Sequence, residues 1–334
     1  MRLLPLALLI GALGCAGPAP PVAPAPADDA PLTFTVEPPP TFRMEGVRVA
    51  AFNAEFLFDG VGDEGEASFP WKGDSVAARA HRDAVARTIR TLDADVVVIP
   101  ETEHLGVLES MIRESLADLG YTPYLVDGAD RFTGQDVGLL SRVPVDTVGR
   151  TDERVQLPGT EETYGVSKNL FARLTLGGVP TTLIGVHFLA QPDNVERKPR
   201  REAQAEVIRR LIAQETAAGR AVVVLGDFND FDEATPDLAG SRPITNVLAT
   251  IKQAGEGPGD DLRNVMAEVP QRRRFTNFYD RNDDGDVDAG ELSAIDHVLL
   301  SPALFGRLRE VHYVHSHDPN AVSDHFPIVV TLAE

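Results

Sequence analysis

The sequence predicts one α/β or α+β domain, on three observations. Strand-like and helix-like patterns alternate from Val47 to the end of the chain without a Gly/Ser-rich break. The strand-like runs, such as Val96–Ile99 and Ala221–Leu225, are continuously apolar and β-branched, as in strands covered on both faces. The 334 residues are 43% hydrophobic, ample for a packed core.

In order, Val47–Phe52 reads as a strand and Val76–Leu92 as a helix, with Asp74 or Ser75 as its N-cap. Val96–Ile99 is a short strand and Leu105–Leu119 a second amphipathic helix. Val137–Leu140, Leu170–Leu176 and Thr182–Val186 read as strands, Arg201–Ala218 as a third helix, and Ala221–Leu225 as the strand after it. Further strands are expected at Arg274–Tyr279, Ala294–Leu300, Val311–His315 and Ile328–Leu332. No internal repeat is evident.

The N-terminus has a different character. Residues 1–15 (MRLLPLALLIGALGC) carry one basic residue, an apolar core and small residues before a cysteine. This is the pattern of an export signal, too short to span a bilayer as a retained helix. Cys15 is the chain's single cysteine, which excludes an intramolecular disulfide. Ala12-Leu-Gly-Cys15 resembles a bacterial lipobox, with alanine where leucine is usual. Residues 16–42, rich in Pro and Ala, read as an extended linker ahead of a domain at 43–334. The expectation is an extracytoplasmic protein, secreted or anchored in the cell envelope through a lipid on Cys15, and monomeric.

With 31 basic and 51 acidic residues, the formal charge is −20, unlike the broad basic footprint of a duplex-binding protein. The polar residues at strand ends are more telling. Asn53 follows the first strand, Glu101 the second, His187 closes LIGVH, and Asp227-Phe-Asn229 follows Ala221–Leu225. Asp296 lies in SAIDHVLLS, and Asp324-His325 in VSDHFPIVV. Each alone reads equally as a turn or a satisfied structural residue. Ligands of α/β sheets bind outside strand ends, so together these residues stand where they can converge. Strand alternation would put Asp227 and Asn229 on one side.

The ordered set Asn53, Glu101, His187, Asp227-x-Asn229, Asp296 and Asp324-His325 resembles the endonuclease/exonuclease/phosphatase superfamily across roughly residues 47–332. Gly226-Asp-Phe-Asn229 and Ser323-Asp-His-Phe-Pro327 are the most specific pieces, supported by Gly138-Leu-Leu-Ser-Arg142 and Arg201-x-x-Gln204. The resemblance implies a four-layer αββα sandwich of two packed mixed sheets flanked by helices. It implies Asn53, Glu101 and Asp324 as ligands of Mg²⁺ or Mn²⁺, and Asp227 as the residue that activates water. Asn229 would lie beside the phosphate. His325, oriented by Asp296, and His187 would stabilise or protonate it. Where the deoxyribonuclease branch pairs its first histidine with a carboxylate, this chain has Lys168-Asn169, and no arginine follows Glu101. Both departures bear on DNA specificity more than on phosphoester hydrolysis.

The segment 280–291 fits the D-x-[DN]-x-[DN]-G-x₅-E calcium loop at every specified position. Asp280, Asn282 and Asp284 supply side-chain oxygens and Gly285 the turn. Asp286 binds through its carbonyl, Asp288 directly or through water, and Glu291 closes the site. The loop reads as an EF-hand-like insertion between strands, a structural Ca²⁺ site that holds Asp296 in register; a solvated acidic turn is the alternative.

The reading that follows is a divalent-metal-dependent phosphodiesterase, foremost a nuclease. A phosphatase or phospholipase C-type enzyme on phosphoinositides, sphingomyelin or small phosphoesters is the alternative, and a non-catalytic calcium-dependent binding protein the third. Arg197–Arg201 and Arg272–Arg274 are basic clusters that would either grip phosphates or serve as solvated faces.

Overall fold

The structure is a computed structural model that describes residues 34–334 apart from 63, 64, 256 and 258. The expected export signal at 1–15, Cys15 and most of the expected linker lie outside the described residues. Residues 34–42 of the linker form no helix or strand but lie against the domain: Phe34 packs on Phe275 and Phe326, and Glu37 pairs with Arg273 at 2.6 Å.

Two six-stranded mixed sheets face each other. The first contains β1 (Val47–Ala51), β2 (Val96–Thr102), β3 (Thr122–Leu125), β4 (Asp136–Ser141), β15 (Leu308–Tyr313) and β16 (Ile328–Leu332), in the order β15-β16-β1-β2-β4-β3. The second contains β5 (Val145–Gly149), β8 (Lys168–Leu176), β9 (Val179–His187), β10 (Ala221–Asp227), β11 (Arg263–Asn264) and β14 (Asp296–Leu300), in the order β11-β14-β10-β9-β8-β5. Helix α1 (Ser75–Leu92) is capped by Asp74, whose carboxylate accepts from the Val76 and Ala77 amides. It covers the outer face of the first sheet with α2 (Leu105–Met111). Helices α3 (Lys198–Ala217) and α4 (Val247–Lys252) cover the second sheet, and a short α5 (Pro302–Phe305) follows β14. This is the four-layer αββα sandwich.

The strand period shows why the sequence runs are apolar throughout. Val96 and Val98 enter the core between the sheets while Val97 and Ile99 pack under α1 and α2. Val223 and Leu225 likewise face the central core, and Val222 and Val224 face α3 and α4. Alternate residues meet two different apolar layers, so no polar face is left to show a two-residue pattern.

Several expected elements differ. The helix over Leu105–Leu119 is α-helical only to Met111, then passes through a π turn (Ile112–Leu116) and a short 3₁₀ turn (Ala117–Leu119). The strand over Arg274–Tyr279 shrinks to β12 (Asn277–Phe278), paired with β13 (Leu292–Ser293). Arg274 instead donates to the carbonyls of Val269 and Pro236, and the Phe275 ring stacks on His315. Unforeseen are β3 and β5, sheet-edge strands that carry exposed residues and lack an apolar run. The small hairpin of β6 (Arg154–Gln156) and β7 (Thr163–Gly165) also went unseen.

Three buried histidines tie the edges of the domain. His81 stacks on Trp71 and its Nε2 meets the Val322 carbonyl at 2.8 Å; His315 and His317 meet the carbonyls of Phe275 and Ser323. Burial pushes each ring down to about 4. The unfolded chain therefore binds the proton more readily between pH 6.5 and 4, and each ring's neutral packing is fully present above that window and lost as pH falls through it. The stability advantage of wild type over H81Q should shrink by about 2 kcal/mol between pH 7 and pH 5. Urea unfolding at the two pH values measures it; an unchanged difference contradicts the assignment.

Candidate active site

The register of the second sheet brings three functional side chains to one edge. Asp227, the last residue of β10, is paired with His187 at the end of β9 and with Asp296 at the start of β14. Gly226 has φ +124°, and a Cβ there would stand 2.3 Å from the Val186 carbonyl oxygen, so only glycine lets the two strands close at this point. Asn229 reaches Asp227 by a route other than the expected strand alternation. The strand ends at Asp227 and Asn229 takes a left-handed turn (φ +47°) that folds its side chain inward. Its amide donates to Asp227 Oδ2 at 2.9 Å and to the Phe188 carbonyl at 3.2 Å, while its backbone N–H donates to Asp227 Oδ1 at 2.8 Å.

The first sheet supplies the opposite side. Just past β1, the Asn53 amide donates to Glu101 Oε1 (3.1 Å) and Asp227 Oδ2 (3.2 Å) and lies 3.4 Å from His325 Nε2. Glu101 sits at an irregularity in the β2–β4 ladder with φ +63°, a strained conformation that turns its carboxylate out of the strand. His325 precedes β16, and its Nδ1 meets Asp296 Oδ2 at 2.7 Å. His187 Nε2 stands 3.6 Å from Asp227 and 3.7 Å from Glu101. Asp324 is at the rim, 3.8 Å from His325 Nε2. All eight residues of the sequence-derived set are thus in one cluster.

Burial separates the two imidazoles. His187 is pushed well below its ordinary value by burial, with the charges of Lys168 and His325 adding to it. On His325 burial also opposes charge, but Asp296, Asp324 and Asp227 outweigh it and hold the ring well above the ordinary histidine range. One ring is neutral and the other a cation.

Comparison with known proteins accords with this geometry. The model of the Endonuclease/Exonuclease/phosphatase family matches residues 50–325. The chain belongs to that family. It is accordingly a phosphoric ester hydrolase of the metal-dependent endonuclease/exonuclease/phosphatase type. No curated protein matches it in sequence. Among solved structures it is similar to an AP endonuclease from Archaeoglobus fulgidus (15% identity, TM-score 0.58, covering 86% of this chain and 99% of that one). It is also similar to the 3′ phosphatase NExo from Neisseria bound to a product DNA hairpin (17%, 0.56, 86% and 100%). Humanized D. rerio TDP2 is a third (15%, 0.54, 86% and 99%). At these identities the likeness shows the shared fold.

The donor set of this family member fits a divalent cation. Burial, then Asp296, pushes Asp227 up to about 8; burial, then Asp324 and Glu101, pushes Glu55 up to about 8. Carboxylates are gathered here at an electrostatic cost that a bound cation reverses. Hard oxygen donors suit Mg²⁺ or Mn²⁺.

Glu55 and Gln135 were not foreseen. Glu55 lies two residues after Asn53, with a left-handed backbone (φ +48°), and accepts from the Asp324 amide at 3.2 Å. Its signal was the Asn-x-Glu spacing, which mirrors Asp227-x-Asn229. Buried Gln135 donates to Glu101 Oε2 at 2.6 Å, while Lys168 donates to its Oε1 at 3.1 Å and lies 3.5 Å from Asp130. Lys168, the ladder partner of His187, serves the Glu101 side of the cluster through Gln135. Several arginines of the two basic clusters are engaged within the fold. Arg201 is fully buried and donates to the carbonyls of Gln191 and Pro192, with Gln204 accepting from the Leu189 amide, so this helix start fixes the loop after His187. Arg273 and Arg274 point to Glu37 and to backbone carbonyls instead of the cluster.

The 280–291 loop joins β12 and β13. Asp280 accepts from the amides of Asp283 and Gly285, Asn282 from Asp284, and Asp284 from Asp286. Glu291 is turned inward onto the amides of Arg281 and Asp288. The base of this hairpin holds the other side of the cluster: the Phe278 amide donates to the Asp324 carbonyl at 2.8 Å, and Asn277 bridges to His325.

Proposed function

We propose that the protein is a divalent-metal-dependent phosphodiesterase, foremost a nuclease, that hydrolyses its substrate by in-line attack of water. The observation that carries this is the pairing of Asp227 with both His187 and Asp296 in one register, with His325 charged against Asp296. Asp227 takes a proton from the attacking water as the new P–O bond forms. Imidazolium His325 faces the charge that develops on the phosphate oxygens, where a fixed cation in a buried site acts most strongly. His187, neutral and 3% exposed, offers its one N–H as a hydrogen bond to the leaving oxygen, which takes its proton from solvent as the old P–O bond breaks. A cation held by Glu101, with Asn53 and Asp324, supplies charge neutralisation at the phosphate when bound. Nucleic acid as substrate is supported by the neighbour bound to product DNA. The export signal and a lipid on Cys15 make it an enzyme of the cell envelope or exterior in this reading.

A Mg²⁺ or Mn²⁺ panel over plasmid DNA, RNA, sphingomyelin, inositol phosphates and bis-(p-nitrophenyl) phosphate tests the assignment. Activity should depend on the added cation and fall by about 10²–10⁴-fold in D227A. Full activity in D227A contradicts the mechanism, and cleavage of lipid or inositol substrates without nucleic acid would put the alternative first.

The same reading keeps 280–291 as a structural Ca²⁺ loop, supported by the inward turn of Glu291 and by the anchoring of the hairpin on Asp324 and His325. Calcium should raise the melting temperature of wild type, and that gain should be lost in E291Q. Equal shifts in the two proteins, or none in wild type, would remove the loop from the account.

A further inference from the structure

A cavity of about 650 Å³ opens beside the catalytic cluster and shares Glu101 and His187 with it. Its size is in the range of about 300–1,000 Å³ typical of sites that enclose one compact ligand. A wall comes from the β6–β7 hairpin, with Arg154 and Tyr164, held toward α3 by the Arg200–Glu162 pair at 3.3 Å and by Arg200 stacked over Tyr164. Arg150 and Arg197 also line it, and the 129–133 loop adds Phe132. In a chain of formal charge −20, these arginines and Lys168 gather beside the Glu101 and His187 edge of the cluster.

The lining is specific in kind. Phe132 is 63% exposed, an apolar ring left in water at the cavity. Buried Lys168 also lines it, although Asp130 and Gln135 already engage its amine. Arg150 pairs with the exposed Asp152 at 2.8 Å, yet its buried Nε has no partner. Asp130 and Glu153 temper the positive charge, so the site is no simple anion trap. Aromatic faces interleaved with arginines suit one base and its flanking phosphate, since every base has a stacking face. Inside a duplex that face is covered by its neighbours.

The geometry points to a subsite for one unstacked nucleotide next to the scissile phosphate, so that the substrate is single-stranded nucleic acid or a frayed end. Phe132 and Tyr164 provide the stacking faces, and Arg150, Arg154 and Arg197 meet the adjoining backbone. This rests on the phosphodiesterase reading above.

The test compares kcat/KM for a single-stranded oligonucleotide, its blunt duplex, an inositol phosphate and bis-(p-nitrophenyl) phosphate, in wild type, F132A and R154A. Phe132 is an exposed ring, whereas exposed Arg154 also braces the β6–β7 hairpin through Thr163, so R154A is read only if its melting temperature equals that of wild type. Wild type should cleave the single strand at least about tenfold better than the duplex. F132A should lose about tenfold more on the single strand than on bis-(p-nitrophenyl) phosphate, and R154A should raise KM for the single strand more than it lowers kcat. Equal rates on single strand and duplex, or a loss in F132A shared equally by all substrates, would overturn the subsite. Preference for the inositol phosphate, weakened in F132A, would overturn the nucleic-acid occupant. Failure of wild type to hydrolyse even bis-(p-nitrophenyl) phosphate would overturn the underlying reading as well.

Discussion

The site depends on an electrostatic constraint: several carboxylates and two imidazoles are held in a largely buried cleft between the ends of two sheets. Nothing in local propensity favours this arrangement. It persists because each participant is fixed from outside the cluster. The ladder sets Asp227 against His187 and Asp296, Asn53 bridges Glu101 and Asp227, and the Ser323 hydroxyl, which donates to the Asn53 carbonyl at 2.8 Å, accepts from the His325 amide. The apolar layers on both sides of each sheet make that framework rigid enough to hold like charges together.

The rest of the architecture serves the same end. Arg201, fully buried, ties the loop after His187 to the start of α3, and Gly226 allows β9 and β10 to close at Asp227. Strain is stored where the chemistry is expected. Glu55, Glu101 and Asn229 all have positive φ, outside the ordinary range of such residues, and all three lie in or beside the cluster. The split between a neutral His187 and a charged His325 follows from the same placement, because the carboxylate that meets a ring nitrogen at 2.7 Å belongs to His325 alone of the two.

Much of this was legible in the sequence, for physical reasons. Val96–Ile99 and Ala221–Leu225 announced themselves because both faces of each strand are buried. The polar residues that follow such runs were visible as breaks in an apolar pattern. What the sequence hid depends on tertiary context. The β3 and β5 strands pair on one side only and need no apolar run, and the strand over Arg274–Tyr279 yields to hydrogen bonds from the Arg274 side chain to the carbonyls of Val269 and Pro236. Gln135 lies in a polar stretch like many others, and only the fold brings its amide to Glu101. Asn229 was placed correctly beside Asp227 but for a different reason, since a left-handed turn does what strand alternation was expected to do.

The central claim is that this cluster is built to be completed by a divalent cation on Glu101. Calorimetric titration of the purified protein with Mn²⁺, set beside E101Q, tests it most directly. The account predicts saturable Mn²⁺ binding in wild type that raises the melting temperature and is weakened by about tenfold or more in E101Q, with both proteins folded. Identical Mn²⁺ binding by the two proteins, or none by wild type, would contradict it.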